Sequence, residues 1–296
     1  MGAATLWSLN GALIKLVYQD GHGPPGITIA FYRSLFAGLF LLPLARGKLH
    51  TLRSPRGRKG TIRIRPAATT CVIFFTLMTV CFVVANTRTE AANAIILQYT
   101  STFWIFGLSP WLLKEKPERR ELGVLMLVVT GIALIFFGNA ATDMFGLINA
   151  LGAGLFYALL TMMIRQLRDA NSAAVTVFNN LGSAALLLPF VLVFGDMLLS
   201  GRSAILLLIM GVVQFGIPYY LYSLGLVRIP AYQAALICLA EPILVPVWTY
   251  LAVGEGVPIW TLAGGGVILI GLLLFIWSAR RTQRRYGPSK SAAAVG

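Results

Sequence analysis

Residues 88–115 read RTEAANAIILQYTSTFWIFGLSPWLLKE, and residues 228–255 read RIPAYQAALICLAEPILVPVWTYLAVGE. The two stretches run in step at a constant offset of 140, with Arg88 on Arg228, Asn93 on Gln233, Ala94 on Ala234 and Glu115 on Glu255. The register continues to Gly131 and Gly271. Earlier, Leu41-Leu42-Pro43 closes one apolar run and Leu187-Leu188-Pro189 closes another. Each copy contains five apolar runs, so the repeat predicts a duplicated five-helix block. When the number of spans is odd, the second copy inserts upside down, and any site between the copies lies at mid-membrane.

Composition sets the solvent. Hydrophobic residues make up 57% of the chain and charged residues 11%, against about 25% charged in soluble domains. Mean hydropathy is +0.79. The 296 residues leave room for ten spans of about 20 residues each. The runs are 3–19, 27–46, 67–86, 91–113, 120–138, 144–165, 173–194, 203–224, 231–252 and 258–279. Their lengths suit helices, and they lack the alternation of membrane β-strands. The expected organisation is therefore all-α: a first repeat over 1–138, an inverted second repeat over 139–279 and a basic tail over 280–296. The run starting at Ala3 has no basic stretch before it and no cleavage site after it, so it reads as a span rather than a signal peptide.

Positive charge gives the orientation. Residues 46–65 hold eight Lys/Arg and no acid, and with the N-terminus in the cytoplasm 20 of the 24 basic residues fall inside. This bias predicts that both termini are cytoplasmic. It also accounts for the net charge of +14 without nucleic acid, for which no aromatic platform accompanies Arg53, Arg56, Arg58 and Lys59. Anionic lipid headgroups are the expected partners of this surface. Cys71, Cys81 and Cys238 lie in apolar runs and read as packing residues, while His22 and His50 offer no metal-site spacing. No metal and no cofactor are expected. Gly21-His22-Gly23-Pro24-Pro25-Gly26 fits a dinucleotide fingerprint only as a string, because it lies between two spans with no preceding strand. The sequence holds no ATP-binding loop and no catalytic constellation, so neither a primary pump nor an enzyme is expected.

Polar residues inside spans are costly in lipid and should face a cavity or a partner. Glu241 is the only acid near the centre of any span, about 15 Å from the start of the ninth at 1.5 Å per residue. It is read either as a functional carboxylate or as a structural partner of an arginine or amide. Pro242 and Pro246 follow it, and each removes an amide donor and frees a carbonyl four residues back. The repeat partner of Glu241 is Ser101, with Gln98 and Tyr99 beside it. Gln214, Pro218 and Tyr222 recur at helical spacing in the eighth span, Trp7 and Asn10 in the first, and Tyr157 lies in the sixth. Pro218 and Pro242 are the expected hinges. Trp7, Asn10, Tyr99, Ser101, Tyr157, Gln214, Tyr222 and Glu241 form the candidate substrate site, with aromatics for an apolar side chain and amides or hydroxyls for its polar end. Arg33 either attracts a substrate carboxylate or snorkels to the headgroups.

These residues carry a family resemblance. The five-plus-five repeat, Ala240-Glu241-Pro242, Gly254-Glu255, Gly271, Arg33, and Trp7 with Lys15 resemble the EamA-type branch of the drug/metabolite transporter superfamily over residues 3–279. The resemblance implies a secondary transporter working by alternating access in the bacterial inner membrane. Within the branch the chain looks most like exporters of amino acids, particularly aromatic or large apolar ones, and protons are a candidate coupling ion. Other members carry nucleotide sugars, purines or drugs. A lipid flippase and a membrane-embedded enzyme are the more distant alternatives. The four-span multidrug members have a glutamate in their first span, where this chain has Asn10.

The charge count generates one test. With Ser54→Cys in intact cells, an impermeant thiol reagent should leave position 54 unmodified until the cells are lysed. Rapid labelling from outside would reverse the topology.

Overall fold

The computed structural model describes residues 2–18, 23–53, 64–89, 91–115, 119–138, 143–254, 256 and 259–286. Glu255, His22, the whole 54–63 segment and the last ten residues lie outside them. The described residues are helical, apart from turns and one isolated bridge between Arg53 and Ile64. In chain order the helices are α1 (Gly2–Trp7), α2 (Asn10–Tyr18), α3 (Gly26–Ala45), α4 (Pro66–Arg88), α5 (Ala91–Gln98), α6 (Ser101–Leu112) and α7 (Arg119–Gly138). They continue as α8 (Met144–Gln166), α9 (Ser172–Phe194), α10 (Gly201–Ile209), α11 (Ile217–Arg228), α12 (Ala231–Cys238), α13 (Glu241–Val253) and α14 (Ile259–Tyr286).

Six stretches are long and apolar enough to cross a membrane: α3, α4, α8, α9, the continuous run 201–228 and the run 231–253. Two shorter apolar helices, Leu122–Leu134 and Leu262–Gly271, lie within α7 and α14. Several of the ten expected spans are divided, the ninth beside the expected hinge Pro242. The first is broken at Ser8-Leu9, the fourth at Tyr99-Thr100 and the ninth at Leu239-Ala240. The last two breaks stand 140 residues apart, in register with the repeat. The eighth span stays continuous through a π-helical segment, Met210–Gly216, between α10 and α11. The last helix runs on to Tyr286, beyond the expected start of the tail at 280.

Packing follows the repeat. Helix α3 lies against α9, α7 against α14, and the broken fourth and ninth spans cross, with α5 on α13 and α6 on α12. The matched glycines share one seam: a Cβ on Gly131 would come within 2.7 Å of the Gly264 carbonyl, and one on Gly271 would touch Leu127 and Val124. Such approaches need small residues because lipid supplies no hydrophobic force between helices.

The helix ends form two chemically different faces. On one, Arg65 donates to both Asp169 carboxylate oxygens at 2.8 Å and the Asn171 amide donates to Thr51 Oγ1. Arg46, Lys48, Arg53, Lys114, Arg168 and Arg228 sit on elements ending at this face. On the other, Arg88 donates to Asp143 at 3.1 Å, and that hydrogen bond holds the exposed Asp143 carboxyl below the usual carboxylate range. Asp143 also caps α8 by accepting from the Phe145 amide, and Asn171 caps α9 on the opposite face by accepting from Ala173 and Ala174. These are standard helix-starting bonds.

Close contact with the broken fourth span depends on Gly154 of α8. A Cβ there would lie 2.6 Å from Thr100 Oγ1, 2.8 Å from the Gln98 carbonyl and 3.0 Å from the Leu97 carbonyl. Gly154→Ala should therefore destabilise the protein by about 1–3 kcal/mol through overpacking. Gly107→Ala, with nothing within 4 Å of the added methyl, should not destabilise it. Melting temperatures of the two variants in detergent check this; equal shifts would refute the close packing.

Candidate functional site

The break in the ninth span starts from proline. Pro242 has no amide hydrogen, so the carbonyl of Cys238, four residues back, loses its helical donor. Tyr99 takes the place of that donor: its hydroxyl donates to the Cys238 carbonyl at 2.5 Å. The same hydroxyl lies 2.8 Å from Glu241 Oε2. Tyr99 itself belongs to the repeat-equivalent break, so the fourth span completes the ninth. A phenol has one proton. When Cys238 receives it, the Tyr99–Glu241 bond is completed by a proton on Glu241; when Glu241 is ionised, two acceptors share one donor.

A narrow cavity lies at these breaks. Its wall combines Trp7 and Asn10 from the first span with Arg33 of α3, and Met78, Thr79 and Phe82 of α4. Gln98, Tyr99 and Ser101 come from the fourth span, Tyr157 from α8, Gln214, Phe215 and Tyr219 from the π segment and α11, and Glu241 from α13. Asn10, Ser101 and Glu241 each stand just after one of these breaks and border the cavity.

Of the residues expected from sequence, Trp7, Asn10, Tyr99, Ser101, Tyr157, Gln214 and Glu241 line this one space, and Arg33 joins them. Tyr222 lies behind the wall: its ring is 5.1 Å from Trp7 and its hydroxyl is 3.0 Å from Thr161. Trp7 also meets Tyr219 at 4.8 Å and Tyr157 at 6.3 Å, all edge-on. Pro218 follows the π segment that carries Gln214, and Pro242 stands at the start of α13. Lys15 reaches the Thr89 carbonyl at 3.4 Å. Sequence reasoning missed Met78, Thr79 and Phe82, which lie in an ordinary apolar helix with no local signal.

The polar groups of the wall are under-used. Arg33 is 1% exposed, with its guanidinium 4.4 Å above the Phe215 ring, and its Nε and Nη1 have no hydrogen-bond partner. Trp7 Nε1, Asn10 Oδ1, Thr79 Oγ1 and Gln214 Oε1 are likewise buried without partners. Among the described residues Gln98 Nε2 and Tyr219 Oη reach the Met78 sulfur, at 3.5 and 3.7 Å, and a thioether is a weak acceptor. No ion pair joins Arg33 to Glu241 among the described residues. Buried polar groups left in this state are expensive. They point to a space meant to hold water or a polar ligand.

A multi-span helical membrane protein with a polar central cavity is a transporter-type architecture, and comparison with known proteins agrees. The profile of the EamA-like transporter family matches twice, over residues 1–137 and 144–277. The chain belongs to the EamA-like transporter family. It is 30% identical over 259 residues to an uncharacterized transporter of Archaeoglobus fulgidus, covering 87% of this chain and 89% of that one. It is 29% identical over 212 residues to the uncharacterized transporter YwfM of Bacillus subtilis, covering 69% and 70%. A solved crystal structure superposes with a TM-score of 0.74 over 95% of this chain and 96% of that chain at 18% identity, which supports the fold.

Proposed function

We propose that this transporter exports amino acids with large apolar or aromatic side chains across the inner membrane by alternating access. The observation that carries the reading is a buried guanidinium and a buried carboxyl lining one cavity with no ion pair between them. A zwitterion supplies a partner for each: its carboxylate for Arg33, its ammonium for Glu241. Trp7, Tyr157, Phe215 and Tyr219 then provide rings for the side chain. Aromatic contacts of this kind add about 0.5–1.5 kcal/mol beyond area burial. Glu241 binds either the ammonium or a proton, so protons are the proposed exchange partner.

The same reading takes the chain as ten spans in two inverted repeats, 1–138 and 139–279. The doubled family match, the shared register of the two breaks and the pairing of α3 with α9 and α7 with α14 support it. The face rich in lysine and arginine is then cytoplasmic, with both termini, in keeping with the positive-inside rule.

Binding and proteoliposome flux test the proposal. An aromatic amino acid should bind at least tenfold more tightly than either its decarboxylated amine or its deaminated acid. Equal binding of all three would overturn the two-pole site. Glu241→Gln keeps shape and hydrogen bonding; it should lower flux at least tenfold, about 1.4 kcal/mol, and flatten its pH dependence. Wild-type flux with an unchanged pH profile would make Glu241 structural. Trp7→Ala should weaken large substrates more than small ones, whereas uniform losses across a size series would indicate a folding defect.

A further inference from the structure

Away from the cavity, a largely buried ion pair among the described residues joins three elements of its wall, α6, α8 and α11, to α12, which leads into Glu241. Glu115, just beyond the end of α6, accepts from Arg165 Nε of α8 at 2.6 Å. The two side chains are 15% and 9% exposed. The second Glu115 oxygen accepts from the Ala231 amide at 3.0 Å. Ala231 is the first residue of α12, and the preceding Pro230 makes no side-chain cap, so Glu115 caps this helix from another part of the chain. Arg165 Nη1 donates to the Leu226 carbonyl and, at 3.2 Å, to the Val227 carbonyl, both in the last turn of α11. An anion thus meets a helix N-terminus and a cation meets a helix C-terminus, as the helix dipoles favour.

All four elements lead to the cavity. Ser101 stands at the other end of α6, Tyr157 on α8, Tyr219 on α11, and Glu241 just after α12. Counting residues at 1.5 Å each, the pair lies roughly 10–20 Å from these wall residues. It sits at the lysine- and arginine-rich face, where Arg65–Asp169 also joins the two halves of the chain. At the opposite face Lys15 donates to the Thr89 carbonyl at the end of α4; in the 140-residue register Thr89 matches Ile229, just past the carbonyls that Arg165 holds.

We propose that Glu115 and Arg165 form a latch that closes one mouth of the cavity, and that each transport cycle must release it. A buried pair suits the task because its attraction is largely offset by desolvation. Opening to water costs little while both partners become hydrated. Removal of one partner strands the other in the closed state only, which biases the molecule towards the open state.

This inference rests on the cavity being the transport route, which the ligand-binding comparison above tests independently. The latch is tested with a reporter, Ser101→Cys, in a background carrying Cys71→Ala, Cys81→Ala and Cys238→Ala. An impermeant thiol reagent is applied to vesicles of both orientations. Glu115→Gln and Arg165→Gln should each speed labelling from the Glu115 face at least tenfold, without a matching rise from the other face. Unchanged labelling in folded variants would overturn the latch. Should either variant fail to fold, Glu115→Cys with Ala231→Cys, joined by a short bifunctional thiol reagent, decides the matter. Flux should stop and recover on reduction; full flux in the crosslinked protein would overturn the proposal, even if amino-acid binding stands.

Discussion

The carbonyl oxygen of Cys238 is the point on which the site depends. In hydrocarbon every backbone polar group needs a partner, and a helix normally provides its own. Pro242 withholds that partner, and a tyrosine from another span replaces it. The replacement fixes where α12 ends and α13 begins. It holds Tyr99 against Glu241 and keeps a buried acidic side chain beside a hydroxyl. The opening in the ninth span is therefore stable only in company with the fourth.

The repeat explains why those two spans meet. The fourth and ninth spans pack on each other, and their breaks coincide in register although only the ninth has a proline beside its break. The chemistry on the two sides has diverged. Ser101 faces the cavity where its counterpart is Glu241, and Tyr99 has Leu239 as its counterpart. The cavity wall therefore does not repeat as the sequence register does: it has one cation, Arg33, and one carboxyl, Glu241, among neutral amides and rings.

Much of this was legible in the sequence because the signals were energetic. Arg33, Asn10, Gln214 and Glu241 stand out since polar groups are rare and costly within apolar spans, and the cavity collects all four. Periodicity placed Trp7, Tyr99 and Tyr157 on faces that converge. Tyr222 shared the same periodicity but fell one layer back, because helical spacing gives a face and not a depth. The break at Ser8-Leu9 had no proline to announce it; Trp248 donates to Ser8 Oγ there at 2.9 Å, a contact spanning almost the whole chain. Met78, Thr79 and Phe82 were hidden by ordinary composition. Glu115 was visible only as a repeat match, since its partner Arg165 lies 50 residues away and looks like one more basic residue at a membrane face.

The π segment at Met210–Gly216 has a consequence of its own. A π turn holds more residues than an α turn, and such bulges concentrate at functional sites. Each residue wound into or out of an α-helix turns everything beyond it by about 100°, since 3.6 residues complete a revolution. Were this segment to tighten into α-helix, α10 and α11 would corkscrew against each other. Gln214 would swing around the helix axis, away from its present place in the wall. Such a conversion would change what the eighth span shows the cavity chiefly by rotation about its own axis.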